Sequence, residues 1–280
     1  MSPMSEDLFI RLSTLLRTAP VFADAREIAS LSQECSLSPR DAAALLLFYR
    51  LGYDMQQDRE IYETFFHELP ELLSPERFLQ DPYLKYYPDG LHARSGNYEL
   101  TWETSPAYEL LPCDEHSTRR GVVYPHLGYF ETAMHWPALC EYGQTWMTLN
   151  PHELATLRPM SSRLFGNTLI YGLGLGYIVF LALANSRVSG VTVIEKSPEV
   201  IQLFSRHLLP GMPGAERLQI IEDDAFHFAA SASAARFDSV LCDLWLGVED
   251  GLPLYTAMKK LEKSGPYYQY WIENTLRLYR

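Results

Sequence analysis

The chain has little that would anchor it in a membrane or hold a metal ion. It contains no apolar run of about 18 residues, the length that a transmembrane helix needs, and residues 1–7 lack the basic and apolar segments of a signal peptide. Its four cysteines show no C-x-x-C spacing, and no histidine spacing is typical of a metal site. We therefore expect a cytoplasmic protein with reduced thiols and without a bound metal.

Basic residues are also scarce relative to acidic ones. The 23 Lys and Arg residues face 35 Asp and Glu residues, which gives a formal net charge of −12. A surface of this sign repels phosphate backbones, so nucleic acid is not an expected partner. A membrane is not expected either, because the chain has no long apolar run. The negative charge is compatible with a small-molecule substrate or with a cationic partner. The hydrophobic fraction of 47% is enough for one large core or two modest cores.

The residue composition and hydrophobic pattern of the sequence change twice along the chain. Residues 1–80 are predicted to be helical, with a clear helix start at Ser38, Pro39 and Asp41. Prolines, glycines and alternating segments indicate a small antiparallel β region over 81–149. Asn150 and Glu153 then form the capping pattern of a new helix, so 150–280 is predicted to be a separate α/β region.

Within 150–280, apolar strand-like runs alternate with helical segments. The strand candidates are 168–171, 190–194, 218–221 and 239–242, and the helix candidates between them are 177–184, 198–208 and 225–230. This alternation predicts a doubly wound parallel sheet with right-handed crossovers. Ligands of such sheets bind at the carboxyl ends of the strands, so the residues at those ends are candidate ligand contacts.

The first strand ends in three glycines at alternate positions, Gly172, Gly174 and Gly176, and an apolar helix candidate follows. Glycines at such a turn let the backbone approach a ligand, and the helix N-terminus offers free N–H groups. The dinucleotide fingerprint G-x-G-x-x-G would need glycine at position 177, where this chain has Tyr177, and this disfavours a nicotinamide enzyme.

The other strand ends carry acidic residues in order. Glu195 lies 19 residues beyond Gly176, near the offset at which an acid accepts hydrogen bonds from ribose hydroxyls; the alternative is an ordinary surface acid. Asp224 and Ala225 follow the third strand, and Asp243 follows the fourth. Asp224 is also a good helix N-cap, and the two roles are compatible.

The G-x-G-x-G motif with these three strand-end acids resembles class I S-adenosylmethionine (SAM)-dependent methyltransferases, in particular their spermidine synthase-like branch. The resemblance covers roughly residues 167–250 and implies a Rossmann-like methyltransferase sheet with SAM as the cofactor. It implies a cofactor site formed by Gly172, Leu173, Gly174, Gly176, Tyr177, Glu195, Lys196, Asp224, Ala225, Asp243 and Trp245.

The resemblance also implies individual roles. Asp224, or alternatively Asp223, would meet the adenine amino group, with Ala225 beside the ring. Asp243 would be the catalytic residue that faces the transferred group or orients a substrate amine. Trp245 would either flank the sulfonium, because aromatic faces attract cations, or simply pack in the core.

Two features depart from the family pattern. The segment after the fourth strand, 243–246, lacks the second Asp that spermidine synthases carry there, so methyl transfer is favoured over aminopropyl transfer. Only 37 residues follow Asp243, and both 252–263 and 267–279 are predicted to be helical. The sheet is therefore expected to be shortened at its C-terminal side or completed by the N-terminal β region.

Substrate contacts must then come from another part of the chain, and the best source is 125–146. The candidates there are Tyr129, His135, Trp136 and Trp146. The aromatic residues of 267–279 are interpreted as core packing or, alternatively, as a homodimer surface.

The sequence thus favours an enzyme, a SAM-dependent methyltransferase that acts on an unidentified small molecule. The alternatives are a spermidine synthase-like aminopropyltransferase and a degenerate, non-catalytic member of the fold that binds a nucleoside.

Overall fold

The computed structural model describes residues 3–66, 68–119 and 121–280. Its helices are α1 (Pro3–Thr18), α2 (Ala25–Cys35), α3 (Pro39–Arg50), α4 (Arg59–Ile61), α5 (Pro75–Leu79), α6 (Pro82–Tyr86), α7 (Pro151–Ser161), α8 (Tyr177–Ala184), α9 (Pro198–Leu203), α10 (Ala225–Ala230), α11 (Val248–Lys259) and α12 (Glu273–Leu278). Its strands are β1 (Glu71–Leu72), β2 (Ala93–Ser95), β3 (Tyr98–Ser105), β4 (Leu111–Arg119), β5 (Val122–Tyr129), β6 (Met134–Glu141), β7 (Gln144–Thr148), β8 (Gly166–Tyr171), β9 (Val188–Glu195), β10 (Leu218–Glu222), β11 (Ser239–Cys242) and β12 (Tyr267–Tyr270). Short π-helical turns continue α4 through Tyr62–Phe66 and α9 through Phe204–Leu208.

The central feature is a five-stranded parallel sheet in the order β10-β9-β8-β11-β12. Helices α8, α9, α10 and α11 connect its successive strands, as the alternation in the sequence predicts. Because the strand order reverses beside β8, a crevice opens at the carboxyl ends of β8 and β11. The predicted fold class, a doubly wound Rossmann-like sheet, is confirmed.

The fifth strand corrects one expectation. Residues 267–270 do not begin a helix but form β12, which pairs with β11 from Ser239 opposite Tyr267 to Cys242 opposite Tyr270. Three aromatic residues in four suit a pleated strand, and Gly265, in the left-handed region at φ +118°, separates this strand from α11. The sheet is therefore completed by the C-terminal segment and not by the N-terminal β region.

Two smaller sheets use the strands that precede β8. One has the order β1-β5-β4, with β1 parallel to β5 and β4 antiparallel to it. The other has the order β2-β3-β6-β7, with antiparallel pairs β2/β3 and β6/β7.

The chain divides into two compact units. The first contains the residues up to Gln80 together with Thr104–His135, and its core joins the apolar faces of α1 and α3 to β5 through residues such as Leu12, Phe48 and Tyr129. The second contains Asp81–Glu103 and Trp136–Arg280, and the parallel sheet forms its core. The division predicted from the sequence was based on residue composition, and it stays a prediction. Its regions are 1–80, 81–149 and 150–280.

Two helix starts in the second unit position the site. The Asn150 side chain accepts the Glu153 N–H at the start of α7, where Pro151 occupies the first turn. Helix α8 begins directly after the glycine loop, and its apolar length is largely buried. In the described ranges, no helix is long and apolar enough to cross a membrane.

Candidate functional site

The strand register brings the predicted acids to one edge of the sheet. Tyr171, the last residue of β8, lies opposite Ile194 of β9 and opposite Cys242 of β11. The residues that follow these three positions, Gly172, Glu195 and Asp243, are therefore level with one another at the carboxyl edge.

The turn after β8 requires glycine for two physical reasons. Gly172 has a φ of +94°, and a Cβ atom there would collide with the carbonyl oxygen of Asp243. Gly176 has a φ of +78°, and a Cβ atom there would collide with the ring of Phe204. L-residues with side chains rarely adopt such a backbone, so the loop can lie this close to the neighbouring strand only with glycine.

The Glu195 side chain is held by backbone donors. Its carboxylate accepts the N–H of Leu173 in the glycine loop at 3.0 Å and the N–H of Ser197 at 2.9 Å. The side chain is half-buried and lines the cavity described below. These bonds fix a carboxylate next to the glycine loop, in the position where a sugar diol could donate to its remaining lone pairs.

Asp224 is the N-cap of α10, as one interpretation of the sequence predicted. Its Oδ1 accepts the N–H groups of Phe226 at 2.9 Å and His227 at 3.0 Å. The side chain is exposed, and Ala225 beside it is buried; both residues line the cavity. Capping fixes the orientation of the carboxyl group, and its other oxygen remains available for a ligand.

Asp243 and Glu153 form an interacting pair of carboxyl groups. Glu153 lies in the first turn of α7, Asp243 follows β11, and the side chains of both line the cavity. The Oε2 of Glu153 is inaccessible to water and has no hydrogen-bond partner among the described residues. Burial raises the pKa of Asp243 to about 7. Burial, together with the charge of Asp243, raises the pKa of Glu153 well above its usual range.

One cavity joins these groups. Its volume is ≈ 260 Å³. Five acidic residues line it, namely Glu153, Glu195, Asp224, Asp243 and Asp250, against one basic residue, the exposed Lys196. Its potential is therefore expected to be negative, which favours a cationic ligand.

Ten of the predicted site residues line this cavity: Gly172, Leu173, Gly174, Glu195, Lys196, Asp224, Ala225, Asp243, Trp245 and Trp146. Trp245 is 5% exposed, packs edge-on against Tyr255 and stacks with Tyr270. Core packing and a cavity wall are therefore compatible roles for Trp245.

Gly176 and Tyr177 do not line the cavity. Tyr177 is buried, and its hydroxyl donates to the carboxylate of Asp81 at 2.9 Å. Asp81 also pairs with Arg158, and the Tyr83 hydroxyl donates to the carbonyl of Leu175. These contacts stabilise the glycine loop through residues outside the cavity lining, so Tyr177 is a packing residue that supports the loop.

Three of the four predicted substrate residues are also outside the cavity lining. Tyr129 is buried in the first unit, where it stacks with Tyr108 at 5.8 Å between ring centroids. His135, in the same unit, is exposed and bonds to Thr104 at 2.9 Å. Trp136 belongs to the second unit and is 4% exposed. Of these candidates, Trp146 alone contributes to the cavity wall.

Sequence reasoning missed Met147 and did not include Glu153 among the site residues. Met147 lies on β7, and its sulfur covers Gly174 and accepts the N–H of Leu175 at 3.4 Å. No local pattern marks this methionine, because the contact joins β7 to a loop 28 residues away. For Glu153 the sequence did contain a signal, because it shows an acidic residue in the first turn of the helix that precedes the glycine strand.

The hydrogen-bond acceptors and the acidic wall of the cavity fit an adenosyl sulfonium cofactor. Glu195 suits a ribose diol, Asp224 and Ala225 suit an amino-substituted ring, and the acidic wall suits a sulfonium or ammonium. The unpartnered Glu153 Oε2 is the observation that most directly calls for a polar group of a ligand, because buried polar atoms are normally hydrogen-bonded. In the described part of the chain, no cluster of three or more His, Cys, Asp or Glu side chains is arranged to hold a metal ion.

Comparisons with known proteins give fold-level likeness only. No family model and no curated protein matches the chain. Among solved structures, a spermidine synthase from Thermotoga maritima matches 67% of this chain and 59% of its own, with 13% identity and a TM-score of 0.38. The methyltransferase domain of bacterial CtHen1-CN matches 40% of this chain and 57% of its own, with 14% identity and a TM-score of 0.30. The fold assignment rests on the strand order, and the site rests on its own geometry.

Proposed function

We propose that the chain is a SAM-dependent methyltransferase that acts on a small molecule in the cytoplasm. The observation that carries the proposal is the position of Glu195: a half-buried carboxylate that the glycine-loop N–H of Leu173 holds in the same cavity as Asp224 and Asp243. Motif order in the sequence and convergence of these side chains in one cavity support the same cofactor.

Each part of the cofactor has a corresponding group in the cavity. Glu195 would accept hydrogen bonds from the ribose hydroxyls, and Asp224 would accept one from the adenine amino group. Leu173 and Gly174 would lie along the methionine part, and Lys196 is the basic residue in the cavity lining. Asp243, with Glu153 behind it, would face the sulfonium.

When bound, such a cofactor supplies an electrophilic methyl carbon: an acceptor lone pair forms the new bond, and the electron pair of the breaking C–S bond stays on sulfur. The protein contributes orientation and a shaped cavity with limited access to water. Asp243 would take the proton that the acceptor releases, because burial raises its pKa to about 7, which is near a working pH.

Aminopropyl transfer from decarboxylated SAM is the second candidate, and the hydrogen bonds of the glycine loop favour it. Four backbone N–H groups of the loop already have acceptors: Gly172 donates to Ile194, Leu173 to Glu195, Leu175 to Met147 and Gly176 within the loop. Few donors therefore remain for a cofactor carboxylate, whereas carboxylates that suit cations are plentiful.

Calorimetric titration with S-adenosylhomocysteine tests the proposal. We expect binding at micromolar to submillimolar concentration, and Glu195→Gln should weaken it about tenfold by removing charged acceptors. Glu222→Gln is the matched control, because Glu222 is an exposed acid at the end of β10 that does not line the cavity. No heat with near-millimolar ligand would refute the proposal.

Two further measurements separate the alternatives. A clear preference for decarboxylated SAM over SAM in the same titration would replace methyl transfer by aminopropyl transfer. Binding of S-adenosylhomocysteine without turnover of SAM in a mixed metabolite pool would support the non-catalytic alternative.

A further inference from the structure

The glycine loop is tied at its C-terminal end to α6 and the cap of that helix. The Tyr83 hydroxyl donates to the carbonyl oxygen of Leu175, the residue before Gly176. The Tyr177 hydroxyl, on the other side of Gly176, donates to Oδ2 of Asp81 at 2.9 Å. Both neighbours of Gly176 are therefore bonded to one short segment of the chain, residues 81–83.

The segment that holds the loop is itself fixed by buried contacts. Oδ1 of Asp81 accepts the N–H of Tyr83 at 2.8 Å, and its carboxylate also pairs with Arg158 of α7. The Tyr83 ring is buried, with centroid distances of 5.1 Å to Phe180 and 5.6 Å to Tyr177. Burial raises the pKa of Tyr83 well above its usual range, so the hydroxyl keeps its proton and remains a donor.

A loop of this composition depends on such a constraint. Gly172, Gly174 and Gly176 all have positive φ, and glycine allows a wide range of backbone conformations. A hydrogen bond to the carbonyl of Leu175 selects one orientation of the peptide unit that joins it to Gly176. In that orientation the N–H of Gly176 donates to the carbonyl of Leu173 at 2.8 Å.

This peptide orientation reaches the cavity through Leu173. Leu173 accepts the N–H of Gly176, lines the cavity, and donates its own N–H to Glu195. The Leu175 side of the loop and the carboxylate that faces the cavity are thus joined by consecutive hydrogen bonds. A ligand that binds only one loop conformation loses affinity in proportion to the fraction of molecules that leave that conformation.

We propose that Tyr83 is a positioning residue for the cofactor, whose hydroxyl holds the glycine loop in the conformation that binds the adenosyl ligand. The inference rests on the proposed function, because the ligand is the cofactor of that function. Tyr83 is not part of the cavity lining, so its effect on affinity passes through the carbonyl of Leu175.

Tyr83→Phe tests the role by removing the hydroxyl and keeping the ring. Tyr86→Phe is the matched control, because Tyr86 lies on the same helix and its hydroxyl also donates to backbone carbonyls, those of Leu208 and Pro210 outside the glycine loop. We expect Tyr83→Phe to weaken S-adenosylhomocysteine binding about five- to tenfold in calorimetry. Tyr86→Phe should leave the affinity within about twofold of the native value.

Nuclear magnetic resonance of protein with isotope-labelled glycine gives a second readout, which needs no ligand. An amide signal depends on the hydrogen bonding of the preceding carbonyl, because the two groups belong to one conjugated peptide unit. Gly176 therefore reports on the carbonyl of Leu175, and Gly211 reports on the carbonyl of Pro210. We expect Tyr83→Phe to shift the Gly176 signal and not the Gly211 signal, and Tyr86→Phe to do the reverse.

A merely structural role of Tyr83 would not produce this pattern, since general destabilisation does not select one glycine. Glycine signals that stay at their native positions show that each variant is folded. An unshifted Gly176 signal in Tyr83→Phe would overturn the inference, because the hydroxyl would then not hold the loop.

The affinities separate the inference from the proposal on which it rests. Absence of S-adenosylhomocysteine binding to the native protein would overturn the proposed function and the positioning role with it. Native binding with an unchanged affinity in Tyr83→Phe would overturn the positioning role alone. Equal losses in Tyr83→Phe and Tyr86→Phe would also overturn it, because they would show an effect of α6 as a whole.

Discussion

Replacing Asp243 by asparagine should stabilise the protein at alkaline pH. Burial raises the pKa of Asp243 from 3.8 to about 7, so the folded state keeps a proton that the unfolded chain releases at lower pH. Between these two values the unfolded state binds fewer protons than the folded state. The contribution of Asp243 to the free energy of unfolding of the native sequence therefore falls as pH rises from about 4 to 7 and is constant above that.

The magnitude follows from the size of the shift. About three pKa units at about 1.4 kcal/mol each give an upper value of about 4 kcal/mol. Asp243 is half-buried beside the cavity, and water there screens part of the charge, so we expect about 2–4 kcal/mol. Asp243→Asn also removes the charge that raises the pKa of Glu153, which makes ionisation of Glu153 easier. Tyr98, Glu195, Lys196, Asp224 and Asp250 also line the cavity and remain in both proteins.

Urea unfolding at a series of pH values between 4 and 9 measures this effect. We expect the curve of Asp243→Asn to rise above that of the native protein as pH increases and to stay above it beyond pH 7. The curve of Glu222→Gln should follow the native one. Parallel curves for Asp243→Asn and the native protein would refute the reasoning, because they would show that Asp243 titrates alike in both states.

Three further changes test the glycine loop and its support. Met147→Ala should expose the N–H of Leu175 and strengthen S-adenosylhomocysteine binding about threefold or more, and a calorimetric affinity that is unchanged or weaker would count against this. Gly172→Ala should lower the free energy of unfolding in urea by about 2–4 kcal/mol. Gly90→Ala is the control, because Gly90 also has a positive φ but lies in open space, and it should lower this free energy by about 1–2 kcal/mol. Equal losses would show that the collision with the carbonyl oxygen of Asp243 contributes nothing. Asp81→Ala should lower the free energy of unfolding by about 1–3 kcal/mol because it leaves the buried hydroxyl of Tyr177 without its acceptor, and a loss below about 1 kcal/mol would contradict that role.

Local sequence patterns were sufficient for the parallel sheet and for its polar strand ends. Strand and helix periodicity depends on neighbouring residues, and the glycines at 172, 174 and 176 mark a backbone turn that side chains would obstruct. Glu195, Asp224 and Asp243 could be found because carboxyl ends of parallel strands meet at one edge. Residues 267–270 were assigned to a helix wrongly, since their strand state depends on pairing with β11, about 28 residues earlier.

The sequence by itself thus determined the order of strands and helices from β8 to β11, the glycine turn and the acids that follow the strands, because each of these has a local cause. Only the tertiary structure decided which side chains share the cavity. Glu153 meets Asp243 across 90 residues of chain, and Met147 covers Gly174 from a different sheet. The tertiary structure also shows that Tyr129 and His135 are not in the cavity lining and that the Tyr177 hydroxyl donates to Asp81. Such contacts depend on packing between elements distant in the chain, and no single segment encodes them.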